Sequence, residues 1–408
     1  MASTASTKKP STNGRAKRVV KTFCEFFAGI GLVREGLASS GWQCAYANDI
    51  DPKKAEIYGA RFGASDHFHL GDVWETDKVV EQIPGAPFMA TASFPCTDLS
   101  LAGHWRGING EHSSTFFGFV RVLESLGNRK PSVVVLENVA GFITSNDGKD
   151  FAAAVKSLAD LGYWIDALLL DARYFVPQSR PRIFVLGVHD RLGPAKSLRP
   201  AQAVLFGDAR QQMPPVGPLR PMKLVSLMRK VTLPTGWLAL NVPTPDENRR
   251  PLDDLIDLDD EQEWWDEAAV TKHHDMMSER HRRFVDQLLV DGGLHVGTIF
   301  RRKRHGKTRA EIRFDGIAGC LRTPRGGSAR QIVIILDNGR LRMRWMSPRE
   351  YARLQGADDY PLLGNTNQML FGFGDAVCVP AVRWLDQTIL TPLFESAVHK
   401  RGLPCRTT

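Results

Sequence analysis

Cysteine is scarce in this chain, and long apolar runs are missing. Six cysteines fall in 408 residues, at 24, 44, 96, 320, 378 and 405, with no paired spacing and no histidines placed to ligate beside them. That pattern excludes a disulfide framework and a zinc site, and no metal is expected; free thiols point to a reducing, cytoplasmic compartment. No apolar run approaches the roughly 18 residues that span a bilayer, so no membrane partner is expected. The opening MASTASTKKPSTNGRAKR is basic but has no apolar core, which excludes a secretory signal. Residues 1–19 read instead as a disordered basic tail, and residues 401–408 as a second tail.

Acids are also absent where bases gather. The first 21 residues carry six Lys or Arg and no Asp or Glu, and the run RRKRHGKTRAEIR at 301–313 carries seven bases against one Glu. The net charge is +8, so everything outside those two segments sums to about −4. Segment 253–267, DDLIDLDDEQEWWDE, has nine acids and no Lys or Arg. A polyanion would meet the first kind of segment and avoid the second.

From residue 20 to about 190, short β-rich runs (VVKTFCEFF, QCAYAND, PFMATASF, SVVVLEN, WIDALLLDA, RIFVLGV) alternate with helix-like runs. Strand then helix, repeated, predicts an α/β domain with a doubly wound, largely parallel sheet. Residues 191–330 are proline-rich and irregular, and read as an inserted domain. Regular structure is expected to return at 331 with QIVIILDNG, and residues 331–400 to complete the first domain. Ser347-Pro348-Arg349-Glu350 has the form of a capping box with proline at the first helical position.

In a doubly wound sheet, ligands bind outside the carboxyl ends of the strands. Three chemistry-bearing stretches are expected there. Phe27-Ala28-Gly29-Ile30-Gly31 follows the first strand and offers free N–H groups at a helix start. Asp49 lies 20 residues after Gly29, a spacing suited to binding ribose hydroxyls, and Gly71-Asp72-Val73 can add a contact. A dinucleotide fingerprint would want glycine where this chain has Arg34, which disfavours an oxidoreductase. Cys96, in SFPCTDLS, ends the third β-rich run, and its setting suits a nucleophile; the other five cysteines read as inert. Glu137 ends SVVVLEN, where a carboxylate is costly unless paired or catalytic. Arg180 and Arg182, spaced by two, are expected on one side of a strand, either at work with Glu137 or salt-bridged to it.

These motifs, in order (FAGIG, NDID, GDV, FPC, ENV, QSRPR, SPREYARLQG, GFGDAVCVP), resemble the DNA (cytosine-5)-methyltransferase family from about residue 20 to 190 and again from 316 to 396. The resemblance implies a class I methyltransferase fold of Rossmann-like type, with 191–330 as the target-recognition domain. It also implies S-adenosylmethionine as cofactor and double-stranded DNA as partner, with a flipped-out cytosine as substrate. By the resemblance, Cys96 attacks C6, Glu137 holds or protonates N3, and Arg182, with Arg180 close by, binds O2 or positions Cys96. Phe27, Gly29, Gly31, Asp49, Ile50, Asp72, Val73, Asp375 and Val377 match cofactor positions. Ser100, Arg301, Arg302, Lys303, Arg304 and Arg325 are expected to contact DNA, and the acidic 253–267 to face away from it.

The chain departs from the family pattern at Thr97, usually Gln, at Leu32, often Gly, and at Asp375, usually Asn, which adds a charge near the cofactor. The resemblance also implies a monomer in the nucleoid, with a cognate restriction endonuclease or defence proteins as further partners. Two rival readings are a tRNA cytosine-5 methyltransferase on the same scaffold and a DNA-binding subunit with a decayed site.

Overall fold

The computed structural model describes residues 20–63, 66–95, 115–192, 213–304, 306–324 and 329–400. Its larger sheet is built from β1 (Thr22–Phe26), β2 (Gln43–Asp49), β3 (Phe68–Leu70), β4 (Met89–Ala92), β5 (Val133–Val139), β6 (Tyr163–Asp171) and β7 (Pro181–His189), in the order β3-β2-β1-β4-β5-β7-β6. The strands from β3 across to β5 pair in parallel, and β7 runs antiparallel between β5 and β6. Central parallel strands are buried on both faces, which is why MATA and VVVLENV read as continuous apolar runs rather than alternating ones. The crossovers α1 (Leu32–Ala38), α2 (Pro52–Phe62), α3 (Thr76–Gln82), α4 (Thr115–Ser125) and α5 (Lys149–Asp160) cover the sheet.

Because β2 lies on one side of β1 and β4 on the other, the chain order reverses between β1 and β4. A crevice opens at such a switch point, at the carboxyl ends of both strands. FAGIG leaves one of these ends and SFPC the other, so the fold places both motifs at one edge.

On one face of the sheet, Phe26, Phe119, Val122, Phe151 and Leu158 pack together with α4 and α5. On the other, Phe23, Leu37, Met89 and Val133 meet the C-terminal helices α11 (Val379–Leu385) and α12 (Thr391–Lys400), joined by a π-helical turn at Asp386–Leu390. Gly36 of α1 allows this approach, since a Cβ there would lie 2.6 Å from Val382.

The smaller sheet contains β8 (Leu294–Arg304), β9 (Lys307–Arg313), β10 (Ile332–Asp337) and β11 (Arg340–Trp345), antiparallel in the order β11-β10-β8-β9. Its outer face packs on α7 (Glu267–Asp275) and α8 (Glu279–Asp291) through Met277, Val285 and Ile299. Its inner face, with Val296, Val333 and Ile335, shares a core with Leu321, Tyr351, Phe373 and Ile30. The loop of FAGIG is thus built into the joint between the lobes.

Two expected boundaries move. Ile332–Asp337 pairs with β8 in register Ile332↔Ile299 and with β11, so β10 and β11, expected in the larger domain, belong to the smaller sheet. After β11 the capping box at Ser347 opens α9 (Pro348–Leu354) as expected. Residues 213–240, which include α6 (Met222–Met228), were expected in the insert and instead cap the exposed edge of β6. Leu169 N–H donates to Leu219 O at 2.7 Å and Leu238 N–H to Ile165 O at 2.7 Å, while Arg220 Nε reaches the fully buried Asp166 at 3.0 Å. A sheet edge left bare is a pairing hazard, and this cover removes it. The acidic segment is paired within the molecule: Asp260 with Arg342 and Asp257 with Arg353, each at 2.6 Å.

Candidate active site

The turn after β1 is held in a conformation most side chains avoid. Phe27, Gly29 and Gly31 have φ of 56°, 57° and 80°, and a Cβ on Gly31 would lie 2.5 Å from Phe62. A non-glycine residue in the left-handed region costs energy and tends to mark functional loops. The turn is locked from below by Asp49, whose carboxylate accepts from Gly29 N–H at 2.7 Å and from Asp51 N–H at 2.9 Å. Ile50, next to it, is 67% exposed, an apolar side chain facing outward beside a carboxylate. Asp72 accepts from Trp74 N–H at 3.0 Å at the end of β3, while Val73 and Val377 are buried.

Asp375 ends α10 (Thr366–Asp375) and pairs with Lys54 of α2 at 2.9 Å. The lysine stem runs 4.0 Å from where a Gly29 Cβ would stand, so this pair bridges two helices across the loop. The charge that Asp375 adds is thereby balanced. Beneath the loop Glu25 is buried, and burial pushes its carboxyl up to about 8 against the opposing backbone hydrogen bond and charge of Arg34.

At the end of β5, Glu137 Oε1 meets Arg182 Nε at 3.0 Å, with both side chains nearly covered. Glu137 lies directly across from Phe184 on antiparallel β7, so Arg182 is its diagonal neighbour on the same face. Asn138 donates to Phe94 O at 3.0 Å and so pins the strand-to-loop segment two residues before Cys96. Cys96, Ser100 and Arg325 lie outside the described residues.

Arg180 is 1% exposed. Its Nη1 donates to Leu321 O at 2.7 Å, and its Nη2 to Gly374 O at 3.0 Å and Ala376 O at 2.6 Å. Burial and the like charge of Arg182 lower its pKa to about 10. Arg180 therefore ties the turn before β7 to both the inter-lobe segment and the end of α10. Arg180 and Arg182 do share a side, for their Nη1 atoms approach Cys320 Sγ at 3.5 and 4.0 Å. Gln178 adds a further tie, donating to Leu354 O at 2.7 Å and accepting from Leu321 N–H at 3.1 Å.

The basic run forms the hairpin of β8 and β9. Arg302, Lys303 and Arg304 are exposed, whereas Arg301 stacks on Trp345 at 4.8 Å. Arg304 meets Glu311 at 2.8 Å and Arg302 approaches it at 3.9 Å.

Asn138, Gln178, Lys54 and Cys320 were not singled out as functional by sequence reasoning. The first two lie inside ENV and QSRPR, so the motifs held the signal. Lys54 and Cys320 owe their place to contacts far along the chain, which spacing cannot reveal.

The sheet order, the switch-point crevice and the glycine turn over an aspartate define a class I methyltransferase fold. The chain belongs to the C-5 cytosine-specific DNA methylase family, whose model matches residues 21–391. Membership implies a methyl donor. The type II methyltransferase M.HpaII of Haemophilus parainfluenzae is 26% identical over 391 residues, covering 91% of this chain and 90% of that protein. M.BsuFI of Bacillus subtilis, also a type II methyltransferase, is 32% identical over 173 residues, 42% of this chain and 40% of the relative's length. The chain thus spans less than half of M.BsuFI. In fold it is similar to the Entamoeba histolytica methyltransferase EhMeth, with TM-score 0.60 and 15% identity over 93% of this chain and 99% of that one. It is likewise similar to the S. pombe Dnmt2 methyltransferase, with TM-score 0.56 and 16% identity over 92% and 99%. Among the described residues, no helix is long and apolar enough to cross a membrane.

Proposed function

We propose that this protein methylates C5 of cytosine in double-stranded DNA, using S-adenosylmethionine and a covalent bond from Cys96. One observation carries the reading: the Glu137–Arg182 pair stands at the carboxyl edge of β5, beside the β4 end that leads to Cys96. The partner is duplex DNA, met in the cytoplasm at the nucleoid.

Cytosine C5 is a poor nucleophile, and the residues at this edge supply what it lacks. Addition of the Cys96 thiolate to C6 opens the ring's conjugation. Glu137, held by Arg182, places a proton at N3 and offsets the charge that builds on the ring. Arg182 keeps the carboxyl aimed and can meet O2. Arg180, with both Nη atoms on carbonyls, is better suited to position this edge than to touch the base. Once C5 carries the methyl, loss of its proton to water and departure of Cys96 restore the ring. The base must leave the helical stack to reach these groups.

The cofactor cleft fits S-adenosylmethionine. Gly29 and Gly31 would let the ligand approach the backbone, Asp49 would bind the ribose, exposed Ile50 would offer an apolar surface to adenine, and Asp72, Val73 and Val377 would complete the wall. Bound there, S-adenosylmethionine supplies an electrophilic methyl group. Ser100, Arg302, Lys303, Arg304 and Arg325 are assigned to DNA contact. Arg301, stacked on Trp345, contributes through its position beside them.

Duplex DNA carrying 5-fluorocytosine tests the covalent step, since fluorine cannot leave as a cation. With S-adenosylmethionine present, a denaturation-resistant adduct should form, and Cys96→Ala should abolish it. An adduct that persists in Cys96→Ala overturns the assignment, and labelled methyl entering tRNA but not duplex DNA overturns the substrate.

A further inference from the structure

The four described cysteines do not share one environment. Burial pushes the thiols of Cys24, Cys44 and Cys378 up, the last two to about 12. Burial acts on Cys320 in the same direction. The charges of Arg180 and Arg182, a hydrogen bond from Arg182 and the charge of Arg322 outweigh it, so this thiol falls below its ordinary value. Its sulfur has Arg180 Nη1 at 3.5 Å and Arg182 Nη1 at 4.0 Å, and Arg182 in turn holds Glu137 at 3.0 Å.

The segment that carries Cys320 is stitched to this edge by backbone as well. Ser179 N–H donates to Ala318 O at 3.0 Å, Ala318 N–H to Pro177 O at 2.8 Å, and Leu321 N–H to Gln178 Oε1 at 3.1 Å. Residues 316–321 also lead out of the β8–β9 hairpin. Cys320 thus brings a side chain of this segment to Arg182 of the Glu137–Arg182 pair.

We propose that Cys320 is a positioning residue whose sulfur is the shared acceptor of Arg180 and Arg182, fixing the guanidinium that aims Glu137. The proposal rests on the assignment of Glu137 and Arg182 to the reaction. One sulfur within reach of both guanidiniums gives each a common partner, so Arg182 keeps its aim without a second carboxylate. A hydroxyl still accepts hydrogen bonds, and a methyl group accepts none.

Cys320→Ala and Cys320→Ser in the full chain test this. The alanine variant should lower kcat on duplex DNA by about 10- to 100-fold, the scale on which misaimed groups cost rate, with KM for duplex within about twofold. Serine should recover part of that loss. A second measurement does not depend on turnover: alkylation of Cys320 by iodoacetamide at neutral pH, followed by peptide mass spectrometry. It should slow several-fold in Arg182→Gln, because the thiolate loses a supporting charge.

Wild-type kcat in Cys320→Ala overturns the proposal. So does an alkylation rate unchanged by Arg182→Gln, or a loss of kcat matched by an equal loss of folded protein in a thermal melt. If Glu137→Gln and Arg182→Gln are inactive while Cys320→Ala is not, this proposal fails and the catalytic assignment stands. If those two variants are active, the assignment itself fails.

Discussion

The edge of the larger sheet and the basic hairpin of the smaller one handle arginine in opposite ways. At the edge, Arg180 is 1% exposed and spends both Nη atoms on three carbonyls, and Arg182 is committed to Glu137. On the hairpin, Arg302 and Arg304 are about half exposed and share one glutamate, an arrangement worth little in water. One region uses guanidinium for fixed geometry, the other for a diffuse field. The same residue type therefore carries different tests in the two places.

Glu137→Gln should produce the largest effect. Turnover on duplex DNA should drop by about 100-fold or more, the contribution of a positioned proton donor, with duplex affinity little changed. Turnover near wild type would move the acid elsewhere and dissolve the contrast at its stronger end.

Next in size is Glu25, the buried acid beneath the glycine turn. Its folded value of about 8 lies above that of an unfolded glutamate, so the folded protein holds a proton that the unfolded chain has released. Stability should then fall as pH rises from about 4.5 to 8, and level off outside that window. Glu25→Gln should remove most of that fall, read from urea unfolding at about pH 5 and pH 8. Identical pH profiles in the two proteins would mean that the carboxylate finds a partner on ionising.

The smallest effects belong to the hairpin. Arg302→Ala and Arg304→Ala should weaken binding to all duplexes alike, and each phosphate that goes unneutralised should cut the slope of log affinity against log salt by about 0.9. The methylated sequence should stay the same. A change in the methylated sequence from one substitution would instead assign that arginine to a base edge.

Much of this was legible because it is local. FAGIG, the aspartate 20 residues on, ENV and QSRPR each lie within a few residues of a strand end, where turn chemistry and sheet topology decide their place. The short β3 and α3 left little periodicity to detect in three and seven residues. The sheet that β10 joins was not legible, because IVIILD suits a buried strand in either lobe and only its partner β8, over 30 residues earlier, decides between them. Leu219 and Leu238 were hidden for the same reason, as their partners lie on the far edge strand β6. At the active site, the turn that places Arg180 and Arg182 was readable, but the sulfur between them comes from 138 residues further along.

The cover on one face of the larger sheet comes from the far end of the chain. Trp42 donates to Asp386 at 2.7 Å across 344 residues, and Lys21 to Thr391 at 3.0 Å across 370. During synthesis β1 to β7 emerge first, and about 190 residues separate the end of β7 from the start of α11. At about 5–20 residues per second, that interval lasts on the order of 10–40 s. Throughout it Phe23, Met89 and Val133 have no α11 or α12 to pack against. This face is the last to close, and until it does the nascent chain presents a broad apolar surface that chaperones can hold and neighbouring chains can stick to.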